Sequence, residues 1–145
     1  MNTQTHWENV YGTKAPEQVS WFRRHLETSL SLIERSTPNR SARIIDVGGG
    51  ESTLVDDLVA RGYGNLTVLD ISQTAINVTK ARLGVLADRI EWLAKDVTTA
   101  DLPPNAYEIW HDRAVFHFLT TDLDRGAYVD RVKKSVRHGG HVIIG

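Results

Sequence analysis

From Arg43 onward, short runs of consecutive apolar residues alternate with stretches in which apolar residues recur every three or four positions. The runs have the length and β-branched character of strands buried on both faces, and the recurring stretches read as amphipathic helices. RIIDV (43–47), LTVLD (66–70), IEWLAKD (90–96) and YEIWHD (107–112) predict four strands, and HVIIG (141–145) predicts the start of a fifth. Between them, residues 52–61 place Leu54, Val55, Leu58 and Val59 on one helical face, with GYG (62–64) as the stop. Residues 72–83 form a second helix, with Ser72 as N-cap and Gly84 near its end. Residues 122–137 form a third, capped by Asp122, with Val129, Val132 and Val136 turned inward. Ahead of these, Val19, Phe22, Leu26, Leu30 and Ile33 follow a helical spacing over 16–35, with Pro16 suited to the first turn. STPNRSA (36–42) and LPPN (102–105) read as loops, and RHGG (137–140) as a turn.

Strand–helix alternation implies right-handed crossovers, hence an α/β chain: a doubly wound, Rossmann-like parallel sheet in a three-layer α/β/α arrangement. The length of 145 residues fits one domain spanning 1–145, with 1–39 as a helical segment lying over it. Ligands in such sheets bind beyond the carboxyl ends of the strands, where the strand order reverses. Chemistry is therefore expected at strand ends.

Composition narrows the choice. A formal net charge of -1 supplies no general attraction for nucleic acid or anionic lipid. The absence of cysteine removes disulfides, thiolate metal sites and a cysteine nucleophile. MNTQTHWENVYG has no basic head followed by an apolar stretch, and no apolar run approaches the roughly 18 residues that span a bilayer. The expectation is a cytoplasmic protein with neither a nucleic-acid nor a membrane partner, and with no metal: His138 and His141 flank a turn without further ligands at metal spacing.

Three strands end in an acid: Asp46, Asp70 and Asp96. Gly48, Gly49 and Gly50 follow the first, giving a tight turn that a ligand can approach closely. A dinucleotide loop would carry a third glycine where Thr53 stands, and Glu51 would oppose a pyrophosphate. A nicotinamide-dependent oxidoreductase is thereby disfavoured. A carboxylate at Asp46 suits an ammonium instead. S-Adenosylmethionine carries an ammonium, a sulfonium and no phosphate. Asp70 lies 24 residues beyond Asp46, close to the roughly 20 that separate a glycine loop from its ribose acid. Asp96 is placed to accept from the adenine amino group, with Val97 offering a backbone contact. A cationic sulfonium also favours aromatic faces, which the leader supplies in Trp7, Tyr11 and Trp21. A packing role is the alternative for Trp21.

DVGGGES, VLDIS, AKDV, YEIWHDRAVFHFL and VRHGGHVII together resemble the successive motifs of the class I S-adenosylmethionine-dependent methyltransferases, from about Arg40 to the last residue. HWENVYGTK and SWF resemble the leading segment of the thiopurine, thiol and halide methyltransferases and of some small lysine methyltransferases, where it folds over the cofactor. The resemblance implies a cofactor site built from Asp46, Gly48, Gly49, Gly50, Ser52, Asp70, Ile71, Asp96, Val97 and His111, with the leader above it. It also implies a sheet ordered 3-2-1-4-5-7-6. This chain reaches strand five, giving 3-2-1-4-5 with strands six and seven missing. HVIIG would then be an exposed edge, and a homo-oligomer covering it is expected.

Methyl transfer from a sulfonium is an in-line displacement in which the cofactor brings the activated group and the protein orients the reactants. No nucleophile is required. A base is needed only when the acceptor rests protonated, and His111, Asp112 and His117 are the candidates. Each has a plainer reading: His111 as a buried hydrogen-bonded histidine, Asp112 as a turn cap or partner of Arg113, His117 as a core histidine in an apolar run. The expected function is methyl transfer to a small-molecule or protein side-chain acceptor. The alternative is a non-catalytic cofactor-binding or assembly module.

Overall fold

The computed structural model describes residues 26–50 and 52–145. Trp7, Tyr11, Trp21, Glu51 and the first ten residues of the helix expected over 16–35 lie outside the described residues. The remainder of that helix is α1, Glu27–Ser36, which buries Leu30 and Ile33. There follow β1 (Arg43–Val47), α2 (Leu54–Ala60), β2 (Asn65–Asp70), α3 (Gln73–Leu83), a 3-10 turn over Gly84–Arg89, β3 (Ile90–Ala94), β4 (Tyr107–Asp112), the short α4 (Val115–Phe118), α5 (Asp122–Ser135) and β5 (Val136–Ile144).

The five strands are all parallel and ordered β3-β2-β1-β4-β5. Alternation along each strand divides the apolar residues between two cores. On one face Ile44, Leu66, Val68, Ile90 and Ile109 pack with Leu30 and Ile33 of α1 and Leu54, Val55 and Leu58 of α2. On the other, Ile45, Val47, Leu69 and Trp110 pack with Tyr128 of α5. The chain runs outward from β1 through β2 to β3, and in the opposite direction from β4 to β5. The order therefore reverses between β1 and β4.

Several boundaries differ from the sequence expectation. RHGG is not a turn: it lies inside β5, which starts at Val136 and pairs with β4 across a register shift between Tyr107 and Ile109. Gly139, at φ 83°, takes up that irregularity. α5 correspondingly stops at Ser135, and its N-cap is Thr121, whose hydroxyl accepts from the Asp124 N–H, rather than Asp122. Its buried residues are Tyr128 and Ser135; Val132 packs against the same core, as Val136 does from the start of β5, whereas Val129 is 37% exposed. β3 ends at Ala94, two residues before Asp96. Ser72 does cap α3, accepting from the Ala75 N–H, and Gly84 ends it at φ 60°.

Candidate functional site

Register decides what meets at the reversal. Asp46, one residue before the end of β1, is the direct partner of His111 on β4. Both point to the α1 face and both are buried, at 4% and 2% exposure. His111 Nδ1 lies 2.8 Å from Asp46 Oδ1, and its Nε2 lies 2.8 Å from Ser29 Oγ on α1. Asp46 Oδ2 is buried with no hydrogen-bond partner among the described residues.

The glycine loop folds over this pair. Gly48 sits at φ 77°, a conformation that side-chain-bearing residues rarely adopt, and a Cβ there would run into Val115 of α4. A Cβ on Gly49 would overlap Asp46 Oδ2, so the loop backbone lies directly on the carboxylate. Gly50 donates its N–H to Asp70 Oδ2 at 2.9 Å, and its carbonyl accepts from the Thr79 hydroxyl of α3. Asp70, 4% exposed at the end of β2, also accepts the Ser72 N–H through Oδ1 at 2.8 Å. It thus ties the loop to the start of α3 and stands beside Asp46's strand end. Ser52 is half-buried and accepts the Leu54 N–H at 3.1 Å, which opens α2. Ile71 is half-buried next to Asp70.

The remaining expected residues fall into local roles. Asp96 lies in the loop after β3, where Oδ1 accepts from both the N–H and the hydroxyl of Thr98. Val97 is buried in the α5-side core. Asp112 is fully buried and its carboxylate accepts four donors: the N–H groups of Ala114, Val115 and Phe116, and the Tyr128 hydroxyl at 2.6 Å. A carboxylate so engaged holds α4 and α5 to the strand end. It is a structural cap and not a candidate base. The expectation of a core position for His117 also fails, because α4 turns it outward, exposed and edge-on to Phe118. Tyr128, which bridges Asp112 and the Trp110 indole N–H, has its phenol pushed far above the ordinary range by burial and then by the Asp112 charge.

Sequence reasoning passed over Ser29. It lies three residues after Leu26 and four before Ile33, on the apolar stripe of α1. A polar residue in such a stripe signals a buried polar partner. A separate depression of about 540 Å³, lined by Asp101, Asp130, Arg131 and Lys134 among others, shares no residue with the loop and the strand-end acids.

The geometry fits the expected cofactor. An unpaired buried acceptor costs about 1–3 kcal/mol, and among the described residues Asp46 Oδ2 is such an atom, set at the reversal of strand order under a glycine loop. An ammonium donor satisfies it, whereas a phosphate would only repel it.

The family described as a methyltransferase domain matches residues 44–140. The bovine (Bos taurus) eEF1A lysine and N-terminal methyltransferase is 25% identical over 133 residues, covering 90% of this chain and 19% of that protein. The chain therefore spans about a fifth of the length of the curated relatives it matches. Among solved structures, the N-methyltransferase NodS of Bradyrhizobium japonicum WM9, in complex with S-adenosyl-L-homocysteine, superposes with a TM-score of 0.78 at 19% identity, over 99% of this chain and 72% of that one. The 1,6-didemethyltoxoflavin-N1-methyltransferase of Burkholderia thailandensis superposes with a TM-score of 0.74 at 19% identity, over 97% of this chain and 59% of that one. With the parallel order β3-β2-β1-β4-β5 and the glycine loop between two strand-end acids, the chain belongs to the class I S-adenosylmethionine-dependent methyltransferase domain family.

Proposed function

We propose that this domain binds S-adenosylmethionine at the β1–β4 reversal and transfers its methyl group to a nitrogen acceptor on a small molecule or a protein side chain. The observation that carries the reading is the buried Oδ2 of Asp46 beneath the glycine loop, without a hydrogen-bond partner among the described residues. When bound, the cofactor supplies a methyl group already activated on a sulfonium, which leaves the protein the tasks of holding and orienting. Asp46 is the acceptor for the ammonium. Asp70 is the acceptor for the ribose hydroxyls, at the end of the neighbouring strand. Asp96 and Val97 border the adenine end, after β3. Ser52 and Ile71 flank the loop and the ribose acid. The preference for nitrogen draws on the relatives, whose names specify lysine, N-terminal and N-methyl transfer.

Titration calorimetry with S-adenosylmethionine and S-adenosylhomocysteine tests the binding half. Transfer of radiolabelled methyl to a panel of amines, thiols and lysine peptides tests the rest. Label on amines or lysine peptides and not on thiols agrees with the reading. Label on thiols alone changes the acceptor class, and binding without turnover leaves a cofactor-holding module in place of an enzyme.

A further inference from the structure

The buried chain at the reversal has a third member that neither the family motifs nor the strand ends supply. Ser29 belongs to α1 and reaches His111 across 82 residues of sequence, and His111 reaches Asp46 across a further 65. We propose that Ser29 is a positioning residue for the amino-acid end of the methyl donor, acting through His111 on the Asp46 carboxylate. The proposal rests on the reading of this crevice as a methyl-donor site.

The proton inventory fixes the direction of the chain. An ionised carboxylate has no proton to give, so His111 Nδ1 carries the hydrogen and donates it to Asp46 Oδ1. In the neutral ring Nε2 is then an acceptor, and the Ser29 hydroxyl donates to it. The serine thereby sets both the tautomer and the rotation of the imidazole. The imidazole in turn holds one oxygen of Asp46 and leaves Oδ2 for an ammonium. Without the hydroxyl the ring keeps one anchor, its outer nitrogen is buried without this partner, and the carboxylate loses its fixed orientation.

The test compares two ligands by calorimetry: S-adenosylhomocysteine, and 5′-methylthioadenosine, which keeps the nucleoside and lacks the amino-acid end. Ser29→Ala is expected to weaken the first about tenfold, as loss of a charge-supporting hydrogen bond does. The second is expected to change by less than about twofold, and Ser29→Thr, which restores a hydroxyl, should recover most of the loss. His111→Gln, which breaks the link between the serine and the carboxylate, should likewise weaken S-adenosylhomocysteine while leaving 5′-methylthioadenosine within about twofold. Equal losses for both ligands in Ser29→Ala, or none, overturn the proposal and leave the methyl-donor reading standing. If Ser29→Ala does not fold, His111→Gln is read in its place, and equal losses for both ligands there overturn the proposal. A wild-type chain that binds neither ligand removes the methyl-donor reading and the role of Ser29 with it.

Discussion

Asp112 shows how one side chain can read as chemistry and turn out to be architecture. It stands at a strand end beside the site, where the sequence offered a candidate base with a turn cap as the plainer reading. Its four donors come from the first turn of α4 and from Tyr128. An aspartate directly ahead of a helical turn commonly serves as a local cap, and of the two readings that DRAVF offered it is the cap that the structure shows. Tyr128 is the other half of that arrangement. Replacing it with phenylalanine strands the Trp110 indole N–H and removes one donor from Asp112, and about 1–3 kcal/mol of stability should be lost in denaturant titrations. The variant should also behave differently in alkali. The Tyr128 phenol is raised above its ordinary value of 10.0, by burial first and the Asp112 charge second. The folded chain therefore keeps a proton that the unfolded chain releases above about pH 10. The corresponding stability is intact below that point and declines as pH climbs past it. Tyr107, raised mainly by burial and then by Glu91, adds a similar decline. In Tyr128→Phe the alkaline slope should become shallower without vanishing; an unchanged slope would show that Tyr128 contributes nothing to it.

Among the elements, legibility followed burial. β1, β2 and β4 were readable because strands covered on both faces carry continuous apolar runs. β5 was read as a short strand after a glycine turn. The two glycines lie instead inside the strand, in the register shift between the pairs Tyr107–Val136 and Ile109–His141, where Gly139 takes a φ of 83° that side chains rarely adopt. α1 was visible by its period, but the one polar residue in its stripe had no obvious partner because that partner lies on β4. The glycine loop and its flanking acids could be placed because their meaning depends on spacing along the chain. Ser29 depends on contact across it. α3 offers the cleanest check on a reading that survived. Ser72 is fully buried and its hydroxyl accepts the Ala75 N–H at 3.1 Å, while its own N–H goes to Asp70. Ser72→Ala should cost about 1 kcal/mol, within the range for lost N-caps. The midpoint of urea unfolding should drop with little change in its slope, since the surface exposed is nearly the same. A loss below a few tenths of a kcal/mol would mean that the Asp70 carboxylate alone holds the start of the helix.

For the molecule as a whole, the open question is the β5 side of the sheet. β5 is last in the strand order, so its ladder is made with β4 on one side only among the described residues. Its side chains leave apolar area there as well: Val142 is 44% and Ile144 47% exposed. Both project to the α5 face, as the partners of Trp110 and Asp112, but lie beyond the cover that Tyr128 gives to Trp110. An edge with free backbone groups and apolar side chains favours pairing with another strand. The nearby cations give weak protection, because Arg137 is drawn to Glu108 at 3.6 Å. The expected partner is a second copy meeting this edge, which would hide both the backbone groups and the two aliphatic side chains. Light scattering on the eluting protein should give at least twice the mass of one chain at micromolar concentration. Val142→Lys with Ile144→Lys should return it to a single chain, because a charged edge resists pairing. Cofactor binding at the β1–β4 reversal should persist, since neither residue contributes to that site. A wild-type chain that elutes as a monomer at every concentration would defeat the expectation, and so would a double variant whose mass does not fall.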